Sequence, residues 1–303
     1  MNIYVATSWR NEFQPDGVVS SAGAGEGREG NVSDKFLVSF SGGRSSAYMT
    51  WKLLDEGWFD SDELLVVFAN TGKEREETLS FVHRCSVEWN LPIIWVEAVV
   101  NEGRVACTHK VVDYASASRN GEPFEAVIRK YGIPNMNYLH CTRELKANAI
   151  RSYLQSIGWE DYKILQGIRL DEPRRIKNPK PNVIYPLVHI WPTLKWEILD
   201  WWKQQPFNLR LKDHEGNCDG CHKKSTPKLV RIAQERPQTF DWWGEMEQKY
   251  GLAGYNEDGT PRTFYRGHRS AKDIVAMSKL LVLPPLADEE EDAGCSESCE
   301  AFA

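Results

Sequence analysis

The sequence predicts an α/β fold, a doubly wound parallel sheet with a C-terminal helical portion. Three observations predict it. Short, wholly apolar runs alternate with longer stretches of helical periodicity, the pattern of parallel strands covered on both faces. The first of those runs ends in a glycine pair that opens a helix, the kind of turn such sheets place at the carboxyl end of a strand. The chain of 303 residues, 41% of them hydrophobic, is long enough for one large core or two ordinary ones.

Taken in order, residues 36–40 (Phe-Leu-Val-Ser-Phe) form the first strand and residues 45–56 the first helix. Residues 64–69 (Leu-Leu-Val-Val-Phe-Ala) are a second buried strand, 76–90 a second helix and 93–97 a third strand. Residues 122–131 and 144–157 read as helices, followed by a short strand at 163–166. Residues 195–205, 226–236 and 238–250 are helical, giving a helical portion over 191–286 after an α/β body at 35–190. Ahead of that body, residues 20–34 are rich in Gly, Ser and Ala and lack large apolar side chains, as a flexible linker does. Residues 1–19 add one short apolar run at 3–6, too little to bury a core, so 1–34 reads as a remnant and linker. Residues 287–303 carry seven acids and no base, the composition of a disordered acidic tail.

Net charge is −6, and without that tail the chain is nearly neutral. Between residues 129 and 181 eleven Lys/Arg face five Asp/Glu, which suits an anionic ligand or an ordinary solvated face. No run approaches the ~18 consecutive apolar residues of a membrane span. The first residues lack a basic stretch leading into an apolar one. A cytoplasmic chain without a membrane partner is therefore expected. Its seven cysteines then read as thiols, metal ligands or redox centres rather than disulfides. Trp191, Trp196, Trp201 and Trp202 cluster, as do Trp242 and Trp243. Such rings fill a core between helices or stack on bases.

The sharpest local feature is Ser41-Gly42-Gly43-Arg44-Ser45-Ser46 between a strand and a helix. Two glycines permit a sharp turn and close approach of a ligand to the backbone. The helix presents N–H groups and the positive end of its dipole, and Ser45 and Ser46 add hydroxyls. The assembly is an anion site, and at the end of a parallel strand the anion is a nucleotide phosphate. It is neither a Walker A loop nor a dinucleotide fingerprint. Asn70-Thr71-Gly72 ends the neighbouring strand, where Asn70 meets a ribose or an adenine edge, or simply turns the chain. Arg143 and Lys146 share a helix face. Arg169, Arg174 and Arg175 follow a strand, where guanidinium forks match phosphate or sulfate oxygens unless Asp171 and Glu172 neutralise them.

These segments together resemble the phosphoadenosine phosphosulfate (PAPS) reductase family of the PP-loop adenine-nucleotide alpha hydrolases. The resemblance runs in order from the loop at 40–46, through 67–78 and His140-Cys141-Thr142-Arg143-Glu144-Leu145-Lys146, to Gly167-Ile168-Arg169 with Arg174 and Arg175. It ends with Pro186-Leu187 and Gly216-Asn217-Cys218-Asp219-Gly220-Cys221, so it spans roughly residues 36–250. It implies a nucleotide (PAPS, APS or ATP) held by Ser41, Gly42, Gly43, Arg44, Ser45, Ser46, Asn70, Thr71, Gly72, Arg143, Lys146, Gly167, Arg174 and Arg175. It also implies an iron–sulfur centre, a 4Fe-4S cluster, on Cys141, Cys218 and Cys221.

This chain has His140-Cys141 where the family's reductases have paired cysteines, so the fourth iron position falls to His140, to a tail cysteine, or stays open. A zinc site completed from His140, His214 and His222 is the rival, and unligated thiols a third reading. The string Cys218-x-x-Cys221-His222 also matches haem attachment, which would require export. Cys85 and Cys107 read as structural.

The activity implied is reduction of PAPS or APS to sulfite, with Arg169, Cys295 and Cys299 as catalytic residues and a thioredoxin-like reductant as partner. The tail departs from the family's Glu-Cys-Gly-x-His, and its acids disfavour a thiolate. The alternative is an ATP pyrophosphatase or sulfurtransferase that adenylates a nucleic-acid or small-molecule target, although Ser45 stands where that branch has Asp. A non-catalytic nucleotide-binding module is the third.

Overall fold

Leu37, Val38, Val67 and Leu165 are wholly buried because the short apolar runs that carry them lie side by side at the middle of a sheet. The computed structural model describes residues 35–60, 63–103, 105–176, 180–281 and 301–302. The apolar run at 3–6, the linker at 20–34 and both tail cysteines, Cys295 and Cys299, lie outside the described residues.

The body begins with β1 (Phe36–Ser39), α1 (Arg44–Asp55), β2 (Leu64–Asn70), α2 (Glu76–Glu88) and β3 (Ile93–Val99). It continues through β4 (Thr108–Val112), α3 (Glu122–Tyr131), a π-helical stretch at Cys141–Asn148, α4 (Ala149–Ser156), β5 (Lys163–Leu165) and β6 (Val183–Ile184). After α5 (Pro186–His189) come α6 (Lys195–Lys203), α7 (Thr226–Glu235), α8 (Asp241–Tyr250) and α9 (Ala271–Leu280). Among the described residues the strands form one six-stranded sheet in the order β4-β3-β2-β1-β5-β6. All neighbours are parallel except β3 and β4. The chain steps outward from β1 to β3 and then returns to the other side of β1 as β5. The order therefore reverses between β1 and β5, and a crevice opens at their carboxyl ends.

Alternate residues of each central strand feed two cores. One, containing Val38, Val66 and Phe68, packs α1, α2 and α6. The other, containing Leu37, Val67 and Ile164, packs α3, α4, α7, α8 and α9. The predicted α/β class is correct, with helices on both faces, but the helical portion after residue 190 is no appendage. Helix α6 closes one face, where Trp202 donates its indole N–H to the Arg44 carbonyl at 3.1 Å. Helices α7 to α9 complete the other. Of the clustered tryptophans, Trp202 and Trp243 are core-filling, Trp201 and Trp202 meeting edge to face at 4.7 Å and Trp242 and Trp243 at 4.9 Å, whereas Trp196 is exposed.

Elements β4, β6, α5 and α9 were not placed by the sequence reading. Strand β4 is an edge strand with three of its five side chains exposed, so Thr-His-Lys-Val-Val lacks the apolar run that marked the others. The helix expected over 144–157 begins at Cys141 and is π-wound as far as Asn148. Such widened turns recur at functional positions. No helix among the described residues is long and apolar enough to cross a membrane.

The acidic tail is also corrected at its tip. Ala301 and Phe302 are buried in the α3–α4 core, Lys180 donates to the Phe302 carbonyl at 2.6 Å, and the Arg151 guanidinium lies over the Phe302 ring. The acidic composition of residues 287–300 hides one aromatic side chain that has a socket. Phe302→Ala is expected to cost about 3 kcal/mol, the usual result of emptying a buried aromatic site. Urea unfolding measures it, and an unchanged midpoint would show that the socket contributes nothing.

Candidate functional site

The crevice between β1 and β5 is built around the turn at residues 41–46. Gly42 sits at φ +78°, and a Cβ there would lie 2.7 Å from Thr78 Cγ2, so only glycine fits between the turn and α2. Ser46 closes the turn from inside. Its hydroxyl donates to the Gly43 carbonyl at 3.0 Å and accepts from the Ser41 amide at 3.2 Å. Ser46 therefore shapes the loop and, being 1% exposed, is not the free hydroxyl the sequence suggested. Helix α1 starts at Arg44 with no side-chain cap and no acid in its first turn, so the positive end of its dipole is uncompensated at the crevice.

Arg44 itself turns away. Its guanidinium donates to Asn208 Oδ1 at 2.8 Å and to the carbonyls of Leu209 and Leu211, which makes it a structural residue of the α6 side rather than a phosphate ligand. Arg169 reaches the loop instead, donating from Nη1 to Ser45 Oγ at 3.1 Å. Its remaining donors clasp Asp171, at 2.9 Å from Nε and 3.3 Å from Nη2, and Glu172 lies 3.6 Å from Nη1. Arg175 donates to Glu172 at 2.8 Å, while Arg174 is exposed. An anion entering here exchanges with Asp171 for the Arg169 fork. Gly167 makes this approach possible: a Cβ on it would sit 2.7 Å from Ser46 Cα.

Asn70 is not aimed at a ligand. Its amide donates to Glu97 Oε1 at 2.7 Å and the Ser118 carbonyl at 2.9 Å, and its Oδ1 accepts from the Gly72 amide. Of its two readings, turning the chain is the one observed. Arg143 is also elsewhere, mostly exposed and paired with Glu144 at 2.8 Å. Lys146 lies 3.8 Å from Glu74 and lines the cysteine cavity described below, not the loop.

Sequence reasoning missed Glu97, which is fully buried and organises the end of β2. Burial pushes its carboxyl up, but Lys110 at 2.9 Å, Ser118 and Asn70 outweigh that and hold it below the ordinary carboxylate range. A lowered folded-state value contributes stability above the unfolded value and loses it as pH falls. Glu97→Ala should thus cost about 3 kcal/mol near neutrality, in line with breaking a buried ion pair. The deficit should shrink below about pH 4. Denaturation at a series of pH values checks this, and a constant deficit would mean that Glu97 acts only by packing.

The segment carrying Cys218 and Cys221 is stitched to the turn after β2. Glu74 and Cys218 form an antiparallel bridge, Asp219 donates to the Lys73 carbonyl at 2.8 Å, and Arg75 donates its amide to the Asn217 carbonyl at 2.7 Å. Asn217, another residue the sequence left without a role, donates to the Ser41 carbonyl at 2.8 Å, so the strap grips the turn at residues 41–46 directly. On its other side it brings Cys218 and Cys221 to one cavity with Cys141, the first residue of the π-helical stretch. Thr71, Phe124, Thr142, Lys146, His222, Lys223 and Trp243 complete the lining.

Three thiols meeting at one cavity suit a metal centre. Around a single zinc, thiolates stand about 3.8 Å apart, from the Zn–S length and tetrahedral angles. Among the described residues, no three donor atoms of this cavity come within 4.8 Å of one another. Only His214, Glu215 and Glu235 do so. The spacing in the cysteine cavity is wider than a single zinc ion requires. Two of the three histidines of the zinc reading are also elsewhere: His140 Nε2 bonds the Gly132 carbonyl at 3.2 Å, and His214 Nε2 bonds Glu235 at 3.1 Å. Burial lowers His140 to about 4 and His222 to about 3, so both rings are neutral. Cys85 and Cys107 are buried away from the cavity, and burial followed by Glu144 pushes Cys107 up to about 12.

No family model matches the chain. The nin region protein ORF290 of Escherichia phage lambda, uncharacterized, is 32% identical over 279 residues, covering 88% of this chain and 94% of that protein. Two uncharacterized proteins of Methanocaldococcus jannaschii are more distant. MJ0973 is 25% identical over 80% of this chain and 54% of its own length. MJ0066 is 23% identical over 72% of this chain and 42% of its own length. The chain thus spans nearly the whole phage relative but about half, or less, of the archaeal ones. At this identity and coverage, the chain belongs to the family of the phage lambda nin region protein ORF290.

Proposed function

We propose that this chain is a PP-loop enzyme of the PAPS-reductase type, which binds an adenine nucleotide in the β1–β5 crevice and reduces PAPS or APS to sulfite in the cytoplasm. The observation that carries the reading is the pairing of an uncapped helix N-terminus with Arg169, whose Nη1 stands 3.1 Å from Ser45 Oγ. Backbone N–H groups and a guanidinium then converge on one point, as a phosphate or sulfate requires.

In the reaction, Arg169 holds the anionic oxygens. A thiolate attacks the sulfonyl sulfur, the bond from that sulfur to the phosphate oxygen breaks, and the adenine nucleotide leaves. A dithiol of thioredoxin type then supplies two electrons, becomes a disulfide and releases sulfite. The thiols assigned to the attack are Cys295 and Cys299, which lie outside the described residues. An iron–sulfur centre held by Cys141, Cys218 and Cys221 would supply electrostatic and redox tuning beside the site.

A second reading, ATP-dependent adenylation of a nucleic-acid or small-molecule target with sulfur transfer, draws support from the cavity itself. Three thiols and Lys146 adjoin Thr71 at the end of β2, beside the nucleotide crevice. Titration calorimetry with PAPS, APS and ATP, paired with sulfite and pyrophosphate assays, tests both readings. Arg169→Ala should weaken the bound nucleotide tenfold or more in a chain that still unfolds cooperatively. Cys295→Ser/Cys299→Ser should stop sulfite release at unchanged affinity. Pyrophosphate from ATP with no sulfite selects the second reading, and no binding of any of the three nucleotides removes both.

A further inference from the structure

We propose that His222 is the fourth protein ligand of the centre on Cys141, Cys218 and Cys221, bound through Nε2. The inference rests on reading those thiols as an iron–sulfur centre, and it assigns the position that the family resemblance leaves vacant. His222 is 1% exposed, and its Nε2 has no hydrogen-bond partner. A buried ring nitrogen without a partner is costly, and a metal ion in the cavity would satisfy it. The ring lines the same cavity as the three thiols.

A second buried group in that cavity is also unpartnered. The indole Nε1 of Trp243 has no acceptor and lies over the CxxC turn, where a Cβ on Gly220 would meet it at 2.4 Å. The two groups have opposite needs. Nε2 of a neutral imidazole can give a lone pair to iron, whereas an indole N–H needs an electron-rich acceptor. An iron–sulfur centre presents both partners, since iron takes the imidazole and a sulfur accepts the N–H. A water could satisfy one of these groups, but it would leave the convergence of three thiols unexplained.

His222 is preferred over the rival histidines by position: it lines the cavity with the three thiols, whereas His140 and His214 do not. Lys146 and Lys223 do line it, and their charge suits a centre that three thiolates make anionic. With four protein ligands no iron is left open to take up a substrate sulfur. The centre then clamps the strap that runs from Cys218 through Asn217 to the nucleotide loop, and replacing a thiolate by a neutral ligand raises its potential.

The test uses the full chain, reconstituted with iron and sulfide without oxygen and then reduced. Electron-nuclear double resonance should show a nitrogen coupling of the size seen for iron-bound imidazole, in the wild type and in His140→Ala. His222→Cys should keep its iron, supply a thiolate in place of the ring and lose that coupling. A wild-type cluster without the coupling, or one whose coupling survives in His222→Cys, overturns the ligand while leaving the three-thiolate centre standing. A chain that takes up no iron yet binds nucleotide normally overturns the centre and His222 together, and leaves the nucleotide reading intact.

Discussion

The contact on which the site depends is one of backbone against backbone. Where β5 ends, Gly167 lies so close to the first turn of α1 that any side chain would strike Ser46 Cα at 2.7 Å and its amide nitrogen at 2.8 Å. The turn after β1 is thereby pinned between Gly167 on one side and Thr78, Phe68 and Val82 beneath Gly42 on the other. Two residues after Gly167, Arg169 is then within reach of Ser45. A loop already held in its binding geometry loses little entropy on meeting a ligand, which is how a shallow crevice can bind a charged molecule well.

A second constraint comes from the strap at residues 215–221. Arg75, 7% exposed at the start of α2, pairs with Glu215 at 2.8 Å and fixes the Asn217 carbonyl through its own amide. This explains the tight group His214, Glu215 and Glu235. Its carboxylates meet Arg75, Arg236 and Lys212 as well as His214. A cation would have to displace those partners, so the group reads as the ion-pair network that seats the strap. What separates His222 from it is its place in the cavity wall beside the three thiols.

The sheet was legible because its central strands are apolar on both faces, and that pattern needs no knowledge of neighbours. Strand β4 was not, since an edge strand answers to one partner only. The site divides in the same way. Gly42, Ser45, Gly167 and Arg169 sit at the ends of strands or the start of α1, the positions the local motifs mark, although Arg169 meets Ser45 across 124 residues of chain. Arg44 and Asn70 stand in the same motifs, yet their partners are set by topology: Arg44 meets Asn208, 164 residues away, and Asn70 meets Glu97 on the adjacent strand. Nothing near either residue in the chain announces those partners. Glu97 and Asn217 were missed for the same reason, though a charged residue inside an apolar strand is a signal for the first. Phe302 escaped because composition averages over a segment, whereas a socket recognises one side chain.

The β1–β5 crevice and the cysteine cavity are joined by a short path of hydrogen bonds and one ion pair, and Glu74 is its hinge. One of its oxygens accepts from the Thr71 amide at 2.7 Å and the Thr71 hydroxyl at 2.6 Å, while the other lies 3.8 Å from Lys146 in the cavity wall. Its backbone pairs with Cys218, whose neighbour Asn217 holds the Ser41 carbonyl. Each such hydrogen bond is worth roughly 0.5–1.5 kcal/mol net. Losing the Asn217–Ser41 contact alone would thus change the population of the ordered loop by up to about tenfold. The cavity wall and the turn at residues 41–46 thus share one strap, which carries two of the three thiols, and any coupling between them would be reciprocal.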